Sequence, residues 1–336
     1  MITQRDQLTT VDERFLLYRA PVIEQTETFA DDVRAGLAAV QKHLSPKYFY
    51  DALGSALFEA ITQLPEYYLT RVETEILQRY AGEMLASLDG PVELVEFGSG
   101  SAQKTRILIG EALELQTRVE YHPIDISGTA LTQSVSGLIG EYPRLHVTAY
   151  ATDYFEVLAS ARLRTSKRVL ALFLGSNVGN YEPERAEALL SAMSASFKPG
   201  DALLLGTDLK KDSATLELAY NDPTGVTAAF DKNLLGRINR ELGGHFDLDA
   251  FEHVARYDAR RGAVDSFLVS QRGQTVAIDA LETQVPFRTA ESIHTESSYK
   301  FAAADLARLA ERSGFRVAKS WTDPLARYAV SLFVIV

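Results

Sequence analysis

Cysteine is absent from this chain of 336 residues, which excludes a disulfide framework and a cysteine-ligated metal and fits a reducing compartment. Long apolar runs are absent too: nothing approaches the ~20 residues that a membrane-spanning helix needs. The opening stretch, MITQRDQLTTVDERF, is polar and charged where a secretory leader would be apolar, so a cytoplasmic protein with no membrane partner is expected. Positive charge is scarce. Lys and Arg number 34 against 45 Asp and Glu, a formal net charge of −11. Acids dispersed in this way repel phosphate, which argues against a nucleic-acid partner and favours a small-molecule substrate. The six histidines show no i,i+4 pairing of the kind that ligates a metal, so no metal is expected. Internal repeats and low-complexity segments are missing as well.

What is present is ample apolar material, 46% of the residues, enough for one large domain or two ordinary ones. The most informative stretch is VELVEFGSGSAQKT, Val92 to Thr105. It is an apolar strand closed by an acid and followed by a glycine-rich turn, with Ile107, Leu108 and Leu113 spaced for a helix packed on a sheet. A triphosphate-binding loop would need glycine before Lys104, and a dinucleotide loop would need a third glycine at the same place; Gln103 stands there in both cases. What remains, E-x-G-x-G, resembles the cofactor loop of S-adenosylmethionine-dependent methyltransferases.

From Leu94 to Leu209 the runs VELVEFG, VEYHPIDIS, LHVTAYATD, RVLALFLGSN and ALLLGTDL alternate with amphipathic stretches such as ERAEALLSAMSASF. Such alternation predicts a doubly wound α/β domain with a parallel sheet covered on both faces. Ligands in these sheets lie beyond the carboxyl ends of the strands, which directs attention to Gly98–Lys104, Asp125, Asp153, Gly175–Asn180 and Asp208. The rest of the chain predicts a helical N-terminal arm and a block over about 213–295 with a helix, TAAFDKNLLGRINREL. In that block AVDSFLVSQ and TVAID read as a hairpin turning near Arg272-Gly273. A last helix, stopped by Gly314, and two closing strands are expected to return to the sheet. The expected layout is discontinuous: 72–212 plus 300–336 as the cofactor domain, and 1–71 plus 213–299 as an α+β accessory domain for the substrate.

Seven motifs occur in order: KYFYDALGSALFEAITQLPEYYLTR, ELVEFGSGSAQKT, YHPIDIS, FLGSNVGNYEPERA, GTDLKKD, AYNDPTGVTAAFDKNLLGRINREL and IHTESSYKF. Together they resemble the histidine Nα-methyltransferases of ergothioneine biosynthesis, over nearly the whole chain from about Tyr48 onward. The resemblance implies a Rossmann-like class I methyltransferase fold, S-adenosylmethionine as methyl donor, no metal, and L-histidine converted to its trimethyl betaine, hercynine. It places Gly98 and Gly100 against the cofactor, Lys104 toward the methionine carboxylate, Asp125 on the ribose hydroxyls and Asp153 with Tyr154 on the adenine, with Tyr50 closing over the cofactor. For the substrate it implies Asn180 and Tyr220 on the α-carboxylate, Tyr67, Glu296 and Ser298 on the imidazole, and Gly175 and Ser266 lining the pocket. Tyr50 and Asn180 are the catalytic positions that it implies. A neutral imidazole offers one donor and one acceptor, which a carboxylate and a hydroxyl satisfy together.

Side-chain chemistry alone leaves other readings open. Lys104 reads equally as a solvated charge, Asp125 as a helix N-cap, Asn180 as a turn former, Tyr220 as a core aromatic and Ser298 as part of the approach to the next helix. Of the histidines, His294 adjoins the expected substrate segment and is the likeliest of the six to serve it. Two departures bear on the substrate: Val264-Asp265-Ser266 stands where the family commonly has an Ile-Glu-Met type strand, and Asn177 where threonine is usual. A methyltransferase of the same fold acting on another amino acid or an amino acid derivative is the alternative.

Overall fold

The computed structural model describes residues 7–19, 28–126, 128–159, 165 and 167–335. In chain order the elements begin with β1 (Gln7–Asp12), β2 (Phe15–Arg19), α1 (Phe29–Ala38), β3 (Lys42–His43), α2 (Ala52–Thr62) and α3 (Leu69–Ala86). There follow β4 (Val92–Phe97), α4 (Thr105–Leu115), β5 (Val119–Asp125), α5 (Gly128–Glu141), β6 (Leu145–Ala151), α6 (Tyr154–Ala159), β7 (Arg168–Phe173), α7 (Pro183–Ser196) and β8 (Ala202–Asp208). The chain continues through α8 (Ser213–Tyr220), α9 (Val226–Leu242), β9 (Phe251–Asp258), β10 (Ala263–Ser270), β11 (Gln274–Ile278), β12 (Thr283–Phe287) and β13 (Ser292–Tyr299). It closes with α10 (Ala303–Arg312), β14 (Phe315–Thr322) and β15 (Tyr328–Ile335).

Two units emerge. The first gathers β1 and β2, Arg71–Leu209 and the chain from Phe301 onward. Its nine-stranded sheet has the order β1-β2-β6-β5-β4-β7-β8-β15-β14. The stretch from β2 to β8 is parallel throughout, while β15 returns antiparallel to β8. Every residue of β4 and of β8 is buried, as expected of strands covered on both faces. Phe97, Phe173 and Phe333 are fully buried in the core, where each stabilises the fold by about 1.5–3 kcal/mol through lost apolar exposure. From β4 the chain winds one way to β5 and β6 and the other way to β7 and β8, so the strand order reverses beside β4 and opens a crevice at its carboxyl end.

The N-terminal segment departs from expectation. Instead of a helical arm on the accessory domain, residues 7–19 form a β-hairpin whose second strand pairs parallel to β6. Phe15, Leu17 and Tyr18 are buried there, so β2 adds a further parallel strand and β1 an antiparallel edge.

The second unit comprises 28–70 and Lys210–Lys300. Its four-stranded sheet has the order β3-β13-β10-β9, beside a separate pair, β11-β12. The expected hairpin from β10 into β11 does not form. Both edges of β10 are taken by β9 and β13, so after Arg272-Gly273 the chain leaves that sheet and β11 pairs with β12. Helix α9 packs on α2 and β9, burying Phe230, Leu234, Leu235 and Ile238. Its start is fixed by Asp222, which accepts hydrogen bonds from the amides of Val226 and Thr227 at 3.1 and 2.7 Å. Burial alone would raise this carboxyl, but these bonds and that from Thr224 outweigh it and hold it down to about 2.

Candidate functional site

In the first unit the turn after β4 needs its glycines. Gly98 and Gly100 have positive φ, 75° and 49°, and a Cβ on Gly98 would lie 2.5 Å from the Tyr154 hydroxyl and 3.1 Å from the Asn177 amide nitrogen. The turn is pinned to β5 by Asp125, whose Oδ2 accepts from the Gly100 amide at 3.2 Å. Ser99 Oγ is buried and meets no hydrogen-bond partner among the described residues. A carboxylate at the crevice, a close-approach glycine and an unsatisfied hydroxyl together suit a ligand rich in hydroxyl and amine groups. Tyr154 stands edge-on to Phe97 and Phe173, Asp153 is exposed and accepts from the Phe155 amide at 2.9 Å, and Asn180 is exposed at the end of a 3-10 turn over Asn177–Asn180.

Two carboxylates lie near this turn: Glu96, which the sequence showed as the acid closing the strand, and Glu73, which was not singled out. Glu96, at the end of β4, accepts from Thr105 Oγ1 at 2.5 Å and from the Tyr121 hydroxyl. Burial pushes its carboxyl up to about 7 against the pull of those bonds. Glu73, fully buried on α3, forms an ion pair with Lys104. It also accepts from the Gly175 amide at 2.8 Å and from the Tyr328 hydroxyl at 2.8 Å. Lys104 is therefore no free solvated charge, and Gly175, with φ 79°, is held by the same carboxylate. Gly206 leaves the room: a Cβ there would come within 2.0 Å of Glu73 Oε1. The sequence signal for Glu73 was its place on the apolar stripe of α3, between Val72 and Ile76 and four residues before Leu77. Glu73→Gln keeps the shape but cannot accept at both oxygens, so it is expected to cost about 3 kcal/mol in urea unfolding, the scale for breaking a buried pair. A loss within experimental error would show that the carboxylate is not a structural anchor.

In the second unit one face of the accessory sheet gathers most of the residues expected at the substrate. Register pairs Ser266 with Glu296 and Val264 with Ser298, and pleating turns these four to the same side. Tyr220 reaches that side from the end of α8, its hydroxyl 2.9 Å from Ser298 Oγ. The Tyr67 ring stands edge-on to Tyr220 at 6.1 Å and near Phe58 at 6.2 Å. Tyr50, 45% exposed, joins the same aromatic group through Phe58 and Phe230. Burial, reinforced by the charge of Asp231, lifts the Glu296 carboxyl to about 7 even though Lys300, His294 and His253 pull the other way.

Lys300 completes this cluster. Its ammonium, 2% exposed, donates to the Tyr220 hydroxyl at 2.7 Å and to Ser298 Oγ at 2.9 Å and lies 4.4 Å from the Tyr220 ring centre. Behind it, His253 Nδ1 donates to Asp231 at 2.6 Å and Nε2 to the Tyr220 carbonyl at 2.8 Å. Both partners are acceptors, an arrangement that favours the protonated ring. Burial opposes that charge, but the bond to Asp231, the negative charge of Asp231 and the bond to the Tyr220 carbonyl together outweigh it, raising the pKa of His253.

The histidine tied to the substrate-side residues is thus His253 and not His294. Register slips between Ser266 and Phe267, where Thr295 is the extra residue, and this β-bulge turns His294 to the opposite face. There it lies 3.1 Å from Ser297 Oγ and 3.6 Å from Asp265. Among the described residues no group of acids and histidines could hold a metal ion, and no helix is long and apolar enough to cross a membrane.

Comparison with known proteins gives a consistent picture. The family model described as a histidine-specific, SAM-dependent methyltransferase matches residues 29–335. A histidine N-alpha-methyltransferase of Mycolicibacterium smegmatis is 41% identical over 92% of this chain and 95% of its own length. One of Mycobacterium tuberculosis is 39% identical over 90% and 93%. The ergothioneine biosynthesis protein 1 of Schizosaccharomyces pombe is 26% identical over 83% of this chain, which matches 37% of that longer protein. Among solved structures, an S-adenosylmethionine-dependent methyltransferase from Clostridium acetobutylicum covers 83% of this chain at 10% identity with a TM-score of 0.47.

Proposed function

The chain belongs to the histidine-specific, SAM-dependent methyltransferase family, and we propose that it methylates the α-amine of L-histidine to give hercynine, a step of ergothioneine biosynthesis. The observation that carries the choice of substrate is the shared face of β10 and β13, where the desolvated carboxyl of Glu296 stands two residues from the Ser298 hydroxyl. One accepts from an imidazole N–H while the other donates to the second ring nitrogen. Tyr67 borders the ring, Ser266 lines the pocket and Tyr220 reads the α-carboxylate; the family resemblance assigns Asn180 to the α-carboxylate as well and Gly175 to the pocket lining.

S-adenosylmethionine, when bound, supplies an electrophilic methyl group on its sulfonium. Asp125 accepts hydrogen bonds from the ribose, Lys104 neutralises the methionine carboxylate, Asp153 and Tyr154 flank the adenine, and Gly98 and Gly100 allow close approach. The chain's own contribution is to present a neutral amine with its lone pair aimed at that methyl and to exclude water; such positioning is worth up to about 7–11 kcal/mol in the best intramolecular cases. Tyr50 closes over the cofactor, and Tyr50 and Asn180 are the catalytic positions that the family resemblance assigns. As methyls accumulate, the amine becomes a quaternary cation, which the ring faces of Tyr50 and Tyr67 accommodate by about 0.5–2 kcal/mol. A chain without cysteine suits a reducing compartment, and the same proposal sets the enzyme in the cytoplasm.

The test is release of S-adenosylhomocysteine from enzyme and S-adenosylmethionine with each free amino acid in turn. Histidine is expected to be turned over fastest. Preference for another amino acid would transfer the assignment to that substrate, an outcome that the Ser266 hydroxyl, turned to the same face as Glu296, makes worth measuring.

A further inference from the structure

We infer that Lys300 is a specificity-determining residue of this site: its buried ammonium sets the direction of the Tyr220 and Ser298 hydroxyls and makes the pocket select a free α-carboxylate over a neutral amide. The inference rests on the amino acid methyltransferase reading above and adds to it a residue and a reason for rejecting amides and peptides.

An ammonium has donors and no lone pair. Donating to both Tyr220 and Ser298, Lys300 occupies a lone pair on each hydroxyl oxygen and turns both hydroxyl protons away from itself. The two oxygens are 2.9 Å apart, so at most one hydroxyl can donate to the other, which leaves at least one proton to be offered outward. A hydroxyl proton polarised by a neighbouring cation is a strong donor to a carboxylate and a weaker one to an amide oxygen. The ammonium of the buried Lys300 also lies 4.4 Å from the centre of the Tyr220 ring, which holds it against both hydroxyls. Lys300 directly follows β13, two residues beyond Ser298 and four beyond Glu296, so the segment that reads the ring also carries the charge that reads the acid.

The two hydroxyls are also within reach of each other, so a Ser298 proton given to an imidazole nitrogen leaves the Tyr220 proton to the Ser298 oxygen or to the carboxylate.

The experiment compares Lys300→Met with wild type on histidine and histidinamide at saturating S-adenosylmethionine. S-adenosylhomocysteine binding by calorimetry and thermal melting serve as measures of folding. Wild type should prefer the acid strongly; Lys300→Met should lose about tenfold or more in kcat/KM for histidine, chiefly through KM, with histidinamide changed by less than about threefold. The ratio of the two substrates is then the readout, and it should shrink about tenfold. A parallel fall for acid and amide, or an unchanged ratio, would overturn the inference. Should Lys300→Met fail to bind S-adenosylhomocysteine, Lys300→Gln, which keeps a donor without the charge, carries the same comparison. Turnover by wild type of a different free amino acid would sink the histidine assignment alone, and the ratio is then read on that acid and its amide. Wild-type turnover of no free amino acid would end both.

Discussion

Replacing Glu296 by alanine is expected to lower kcat/KM for histidine by about two orders of magnitude, the scale of one lost charge-assisted hydrogen bond and an unpaired ring N–H. S-adenosylhomocysteine affinity should stay within about twofold, because the proposal gives Glu296 to the substrate and none of the cofactor's polar contacts to it. In a mixed amino acid pool the variant should narrow the gap between histidine and phenylalanine or tryptophan, since the site no longer demands a ring donor. Ser298→Ala should act in the same direction and more weakly, a neutral hydrogen bond being the smaller loss. Retention of histidine selectivity by Glu296→Ala would remove the basis for the imidazole assignment.

The same carboxyl gives the pH dependence a sign. Burial lifts Glu296 to about 7 from its ordinary 4.5, so the folded chain holds that proton more tightly than the unfolded one does. The resulting stability is fully present below about pH 4.5 and is lost as pH rises through about 7. Glu296→Gln should therefore melt higher than wild type at pH 8 and nearly the same at pH 4. Histidine turnover needs the ionised carboxylate and should rise through pH 7 in wild type; the glutamine variant should lack that limb. Identical melting curves at pH 8 would show that the carboxyl is not desolvated as described.

Asp125→Ala carries the second large effect. In the proposed site two ribose hydroxyls would join the Gly100 amide, which is at 3.2 Å, on one carboxylate, so its loss would remove both the sugar's acceptor and the tether of the turn. Each charge-assisted bond contributes about 1.5–3 kcal/mol, and S-adenosylmethionine affinity should fall by at least about tenfold to a hundredfold. Histidine binding measured alone should change much less. Unaltered cofactor affinity in titration calorimetry would mean that Asp125 does not hold the ribose.

Strands β4 to β8 were legible in the sequence because parallel strands covered on both faces read as unbroken apolar runs, and the glycines after β4 announced their turn. Partner choice was not legible. AVDSFLVSQ and TVAID have the composition of a hairpin, yet β10 pairs with β9 and β13, strands whose identity depends on residues far along the chain. Residues 7–19 alternate too briefly to distinguish a sheet edge from an arm. At the site, Ser266, Glu296, Ser298 and Tyr220 were named from motifs, and the structure sets them on one face. Lys300 sat inside the quoted IHTESSYKF and went unassigned, because a lysine reads as solvated unless its burial is known. Glu73 was hidden for the same reason, although its place on an apolar stripe was visible. His294 was misplaced by a single residue of bulge, since strict alternation along β13 would have set it beside Glu296.

The most direct test of the central claim is to identify the product formed from S-adenosylmethionine and L-histidine by mass spectrometry and to locate its methyl groups by NMR. The proposed function predicts methyl groups on the α-nitrogen alone, accumulating to the trimethyl betaine, with the imidazole nitrogens unmodified. Methylation of the ring, or no histidine product while another amino acid is consumed, would contradict it.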